Sequence, residues 1–180
     1  MSVAGLNSVD KVGALLDQFG ACQAVRPLLN EVNAKGPFTV SFTSDWKEAP
    51  HGAAMWPLSR KIVLLESSSQ SLSNLLFETI NMKKADTMAS VNRNLCYLAR
   101  EVYAQVVERL EYETVAEHHK IASQCVKEGA WDRFVDLYAY KFGQTASGIN
   151  SWNTIEGYLK TQEIFGHTDK YRQRWDQLCR

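Results

Sequence analysis

Apolar positions along the chain fall into short stripes separated by polar breaks, and most stripes recur at helical spacing. Val12, Leu15, Leu16 and Phe19 share one face of a helix over Ser8 to Phe19, which Gly20 is expected to end with a left-handed turn. Val25, Leu28, Leu29 and Val32 mark a second helix within Ala21 to Ala34. Pro27 is tolerated only in a first turn, so this helix starts near Val25 or Arg26, and Gly36 and Pro37 stop it. Phe38, Val40 and Phe42 then alternate with Thr39, Ser41 and Thr43, the period of a half-buried strand. Asp45 to Ser59 follows as an irregular loop holding Pro50, Gly52 and Pro57.

The stretch from Lys61 to Asn81 organises what comes next. Ile62 to Leu65 is an unbroken apolar run, which fits a strand covered on both faces. Ser67, Ser68 and Ser69 interrupt it, and Ser69 or Ser71 is placed to cap a helix whose apolar face carries Leu72, Leu75, Leu76, Thr79 and Ile80. The two strands are expected to pair antiparallel across the loop, and so small a sheet needs helices over it. After a charged segment, Met82 to Asp86, the stripe Leu95, Leu98, Ala99, Val102, Val106 and Leu110 predicts a very long helix. A polar middle, Glu111 to Lys120, precedes Ile121, Ala122 and Cys125, with Thr114 as a plausible break and Gly129 as the end. Three more helices are predicted: over Trp131 to Phe142, from an Asn150 or Ser151 cap through Leu159, and from Thr168 through Leu178. The expected fold class is therefore α+β and mainly helical, with a small antiparallel β-hairpin packed against helices.

Composition narrows the possible roles. A length of 180 residues fits one domain, and 45% apolar residues can build a core. Twenty basic and twenty acidic side chains cancel, without the basic surplus of a nucleic-acid binder. No apolar run approaches the ~20 residues of a membrane span. The first residues, MSVAGLNSVDKVGALLDQ, do not read as a secretory signal peptide. Cys22, Cys96, Cys125 and Cys179 are scattered with no CxxC pair, and read as reduced thiols of a protein made in a cytosol, a disulfide framework being the alternative.

Several constellations could carry chemistry. Glu117, His118 and His119 lie together near Glu111 and Glu113, but neighbouring helix positions point about 100° apart, so the two histidines cannot share one ion. A buried histidine paired with a glutamate, Glu78 included, fits them better than a metal site, and no metal or cofactor is expected. Cys22 opens a helical stretch that would stabilise a thiolate, and with His51 or His118 it would form a Cys–His nucleophilic pair. Cys96 and Cys125 read as core. The basic tail, Lys170, Arg172, Arg174 and Arg180, puts its charges on different helix faces, as a solvated helix does and an RNA-binding stripe does not. Gly143 to Gly148, GQTASG, lacks the Lys-Ser/Thr of a phosphate-binding P-loop and reads as a helix connection. Trp46, His51, Met55 and Trp56 are the first candidates for a partner surface, since aromatics and methionine are enriched at contacts.

Strand, loop, strand, a helix with an embedded glutamate, then a long second helix: this order resembles the zincin metallopeptidases. Their H-E-x-x-H helix binds zinc through two histidines and uses the glutamate on zinc-bound water. Here the motif falls on Phe77, Glu78, Thr79, Ile80 and Asn81. Glu78 matches the glutamate; Phe77 and Asn81 stand in the histidine positions and cannot hold zinc as histidines do. The resemblance thus implies a degenerate zincin over residues 37–129, between N-terminal helices (1–36) and C-terminal helices (130–180) of a single domain. In size and layout the chain also resembles bacterial secreted effectors, most concretely the EvpP-type effectors of type VI secretion. That implies a non-enzymatic protein exported without a signal peptide to a host cell or the extracellular space. It would act by binding a component of the secretion machinery or a host protein. The alternative is a protease-like or deamidase-like effector that uses Cys22 with a histidine.

Overall fold

A computed structural model describes residues 8–143 and 152–179. Seven α-helices and three strands follow one another among the described residues: α1 (Ser8–Gly20), α2 (Arg26–Ala34), β1 (Thr39–Thr43), β2 (Ala53–Trp56), β3 (Lys61–Leu65), α3 (Ser71–Arg93), α4 (Arg100–Lys127), α5 (Ala139–Gly143), α6 (Ile155–Ile164) and α7 (His167–Leu178). The chain is mainly helical α+β, as its periodicity predicts. It gathers into two compact units, Met1–Lys83 with Lys120–Leu137, and Lys84–His119 with Tyr138–Arg180. These bounds cut across the sequence divisions 1–36, 37–129 and 130–180.

The first unit is built on the sheet, whose strand order is β1-β3-β2. β3 is central, with Ile62, Val63 and Leu64 buried, which is why its apolar run does not alternate. The pairing of β1 with β3 is parallel, not antiparallel, with Val40 opposite Ile62 and Phe42 opposite Leu64. Residues 44–60 are long enough for the crossover that a parallel pair requires. The antiparallel hairpin is formed instead by β2, which arises inside the supposed irregular loop and places Met55 opposite Ile62. A core of Leu15, Phe19, Val25, Val32, Leu75, Ile80, Ile121, Ala122 and Trp131 surrounds the sheet. Trp131 stacks on Phe19 at 5.8 Å and donates its indole N–H to the Gln18 carbonyl at 3.0 Å.

All four cysteines are bonded, which corrects their reading as reduced thiols. Cys22 joins Cys125 with Cα atoms 5.4 Å apart, and Cys96 joins Cys179 at 5.2 Å. The first pair is fully buried in the first unit; Cys96, expected in a core, is exposed in the second.

Two residues fix the turns of the sheet. Arg60, at φ 48°, closes the hairpin after β2. Its guanidinium donates to the carbonyls of Val32 and Gly36 at 2.7 Å and of Pro37 at 3.2 Å. These bonds tie the last turn of α2 and the two residues after Lys35 to the turn that opens β3. Gly52, at φ 99°, lies so close to α3 that a Cβ there would come within 2.6 Å of Asn74 Nδ2 and 3.3 Å of Ser68 Oγ. We expect Gly52→Ala to cost about 2 kcal/mol, from left-handed backbone strain and the displaced Asn74–Ser68 bond. An unchanged midpoint in urea unfolding would refute this.

Helix boundaries depart from the periodic reading in instructive places. Gly20 ends α1 without a left-handed φ, whereas Gly129 does take φ 70° after α4. Ser68, not Ser69 or Ser71, organises the start of α3, its hydroxyl accepting from the Gln70 N–H and from Asn74 Nδ2. α3 runs through the charged segment Met82 to Asp86, and the break falls at residues 94–99. α4 is continuous past Thr114, whose hydroxyl donates back to the Leu110 carbonyl at 3.1 Å. The stretch after Trp131 is only a 3-10 turn, capped by Asp132, followed by the short α5. Thr154 caps α6 by accepting from the Gly157 N–H. The proposed caps Asn150 and Ser151, and the GQTASG connection beyond Gly143, lie outside the described residues. α7 is preceded by Gly166 at φ 70°, and Thr168 lies within the helix with its hydroxyl directed elsewhere.

Candidate functional site

The zincin-like positions sit on α3. Thr79 and Ile80 are buried, while Phe77, Glu78 and Asn81 are half-buried. Asn81 Nδ2 donates to Glu78 Oε2 at 3.0 Å, so the residue standing in the second histidine position binds the motif glutamate. Among the described residues no group of three or more His, Cys, Asp or Glu is arranged to hold a metal ion.

Cys22 holds no thiolate, because its sulfur is bonded to Cys125. Glu128 Oε2 lies 3.5 Å from that sulfur and accepts the Gln23 N–H. A Cys22 nucleophile is therefore excluded in this disulfide form. His118 is buried in the second unit, edge-on to Tyr138 at 5.0 Å, and His119 stacks flat on Phe142 at 4.6 Å. The two rings point to different aromatic partners, as adjacent helix positions require.

The partner-surface candidates occupy the segment between β1 and β3. Trp46 is 66% exposed and Trp56 51% exposed, so neither tryptophan is spent pinning this segment down. Met55 is half-buried on β2, an edge strand, and His51 is exposed at φ 62°. A non-glycine residue in the left-handed region stores backbone strain, and such strain clusters at functional segments.

A second constellation lies in the second unit. Glu108 on α4 is completely buried. Its Oε1 accepts the Thr168 hydroxyl at 3.0 Å and lies 2.9 Å from His167 Nδ1. One turn on, Glu111 accepts the Tyr171 hydroxyl at 3.1 Å. Burial raises the Glu111 pKa above its ordinary value of 4.5, an effect opposed by the Tyr171 bond. Burial also drives the hydroxyls of Tyr158 and Tyr171 far above their usual range, reinforced by the charges of Glu108 and Glu111. Tyr158 continues into aromatic contacts with Tyr112 and Trp152 at 5.3 and 5.0 Å.

This cluster was missed by the predicted stripe Val102, Val106, Leu110. Val102 is largely exposed, and the buried rows of α4 run through Tyr103, Val107, Thr114, His118 and Ile121, and through Ala104, Glu108, Val115 and Ala122. Carrying the register of Ile121, Ala122 and Cys125 backwards at 3.6 residues per turn places Val107 on the inner face and Glu108 at its flank.

The cluster makes stability depend on alkaline pH. Unfolded tyrosines lose their protons near pH 10, while folded Tyr158 and Tyr171 retain theirs. The folded state then binds more protons, so stability is full below pH 10 and falls as pH rises beyond it. Tyr158 and Tyr171 together contribute a slope of about 2.7 kcal/mol per pH unit once the pH exceeds 10, and Tyr103 and Tyr112, also raised by burial, add to it in the same direction. Glu111 acts with the same sign at the acid end, its contribution declining as pH rises above the ordinary carboxylate value. Unfolding midpoints between pH 8 and 11 test the slope, and roughly half of the share from Tyr158 and Tyr171 should vanish in Tyr158→Phe. An equal slope in that variant would remove Tyr158 from the account.

Comparison with known proteins adds nothing to this geometry: no protein-family model, curated protein or solved structure matches the chain.

Proposed function

We propose that this protein acts by binding a protein partner through the segment between β1 and β3. The carrying observation is the exposure of both Trp46 and Trp56 in one segment that also contains the strained His51 and an edge strand. Large aromatics left in water at one locus are the usual anchors of a protein contact. β2 also offers a free backbone edge to which an extended segment of the partner can add.

On this reading the chain is a bacterial effector on a metallopeptidase-like scaffold, exported by a type VI machine and directed at a machine component or a host protein. The bond from Asn81 to Glu78 supports a scaffold whose motif glutamate serves structure, not hydrolysis. Two disulfides support residence outside a reducing cytosol. Among the described residues no helix is long and apolar enough to cross a membrane. Within the basic tail Arg172 is engaged internally, gripping Glu101, Glu163 and Asp169, which supports a protein partner over a nucleic acid.

The test places a photo-crosslinking amino acid at position 46 or 56, with the exposed Tyr97 as control, in extracts of secreting bacteria and of host cells. A discrete adduct is expected from 46 and 56 alone. Excess unlabelled protein should compete it away, and excess of the Trp46→Ser/Trp56→Ser protein should not. No adduct, or the same adduct from position 97, overturns the proposal.

A further inference from the structure

We infer that the Cys96–Cys179 disulfide is a reducible latch on the C-terminal helix, opened by a small-molecule thiol while Cys22–Cys125 stays closed. The two bridges differ in access. Cys22 and Cys125 are each 0% exposed inside the apolar core of the first unit. Cys96 is exposed, Cys179 is half-buried, and their chain neighbours Tyr97 and Leu178 are largely exposed. Exchange requires a thiolate to reach a sulfur along the S–S axis, so accessibility sorts the two bonds.

The chemistry is ordinary thiol–disulfide exchange. The incoming thiolate bonds to one protein sulfur and displaces the other, which takes up a proton. A second thiol resolves the mixed disulfide. The protein gains two thiols and the reductant leaves as its own disulfide.

What the bond holds determines the consequence. The C-terminal half of α7 rests on Leu95, Tyr103 and Val107 through Trp175 and Cys179. Its other ties include the Trp175 indole N–H to the Leu98 carbonyl, and the ion pairs Arg172–Glu101, Arg172–Glu163 and Arg100–Asp176. Ion pairs with solvent-exposed members hold weakly and are screened by salt. The N-terminal half is held differently, by His167 and Thr168 on the fully buried Glu108. Opening the latch should therefore fray α7 from Arg172 to Leu178 and leave His167 to Lys170 in place, with the change of behaviour near Tyr171. This uncovers the apolar cluster around Leu95 and Val107. The inference is independent of the partner surface proposed above.

The experiment uses the full chain at neutral pH with increasing reduced glutathione. Thiols are alkylated and assigned by peptide mass spectrometry, and amide hydrogen exchange is followed in parallel. We expect Cys96 and Cys179 to alkylate over a range in which Cys22 and Cys125 do not. Exchange over residues 172–178 should rise about tenfold or more, with 167–170 changing little. The Cys96→Ser/Cys179→Ser protein should show the fast exchange without reductant. Simultaneous reduction of both bridges overturns the inference, as does selective reduction with unchanged exchange in α7.

Discussion

The Cys22→Ala/Cys125→Ala protein is expected to be less stable by about 4–5 kcal/mol, the largest effect of any change considered for this chain. The bridge closes 103 residues, and a cross-link of that span removes much of the unfolded chain's conformational freedom. Both sulfurs also fill the core beside Phe19, Val25 and Trp131, so replacing them loses contact as well as constraint. Since native domains are stable by only about 5–15 kcal/mol, the variant should sit near the edge of folding. The guanidinium midpoint of the oxidised wild type against the variant measures this. Coincident midpoints would mean that the bridge constrains nothing the fold does not already hold. The second bridge closes a comparable 83 residues but fastens only the end of α7. The two are distinguished by burial.

Glu108→Ala is expected to cost about 3 kcal/mol. It removes the acceptor of the Thr168 hydroxyl and the partner of His167, and it opens space inside the second unit. Glu108→Gln keeps the shape and one carbonyl acceptor, so its cost should be about half. Thermal midpoints of the two proteins decide the matter: equal losses would show that the carboxylate itself, and not side-chain volume or one remaining acceptor, matters at this position. Hydrogen exchange adds a spatial check, because the Ala variant should loosen the start of α7 around His167 and Thr168. Loss of the Cys96–Cys179 bond should loosen its end instead.

These two predictions rest on residues that the linear chain represents very unequally. The place of Cys22 at a helix start suggests a thiolate, and four scattered cysteines carry no hint of their partners. Pairing is a property of distance in space, and four cysteines admit three pairings that spacing does not rank. Glu108 sits in the segment VVERLEYE, between Val106 and Leu110 of the predicted stripe and off its face. The stripe predicted for α4 turns the exposed Val102 inward and the buried Glu108 outward.

Elements governed by near neighbours were already legible in the order of residues. The apolar run Ile62 to Leu65, the alternation of Val40 and Phe42, and Pro27 at the start of α2 act within a few bonds, and each produced the strand or helix expected of it. Long-range choices came from packing alone: β1 lying parallel to β3, β2 condensing out of an apparent loop, Asn81 turning to Glu78, and sulfurs meeting across 103 and 83 residues. Local backbone preferences tolerate either outcome in these cases. The balance is tipped by which apolar surfaces can be buried together while every carboxylate and hydroxyl so enclosed still finds a partner.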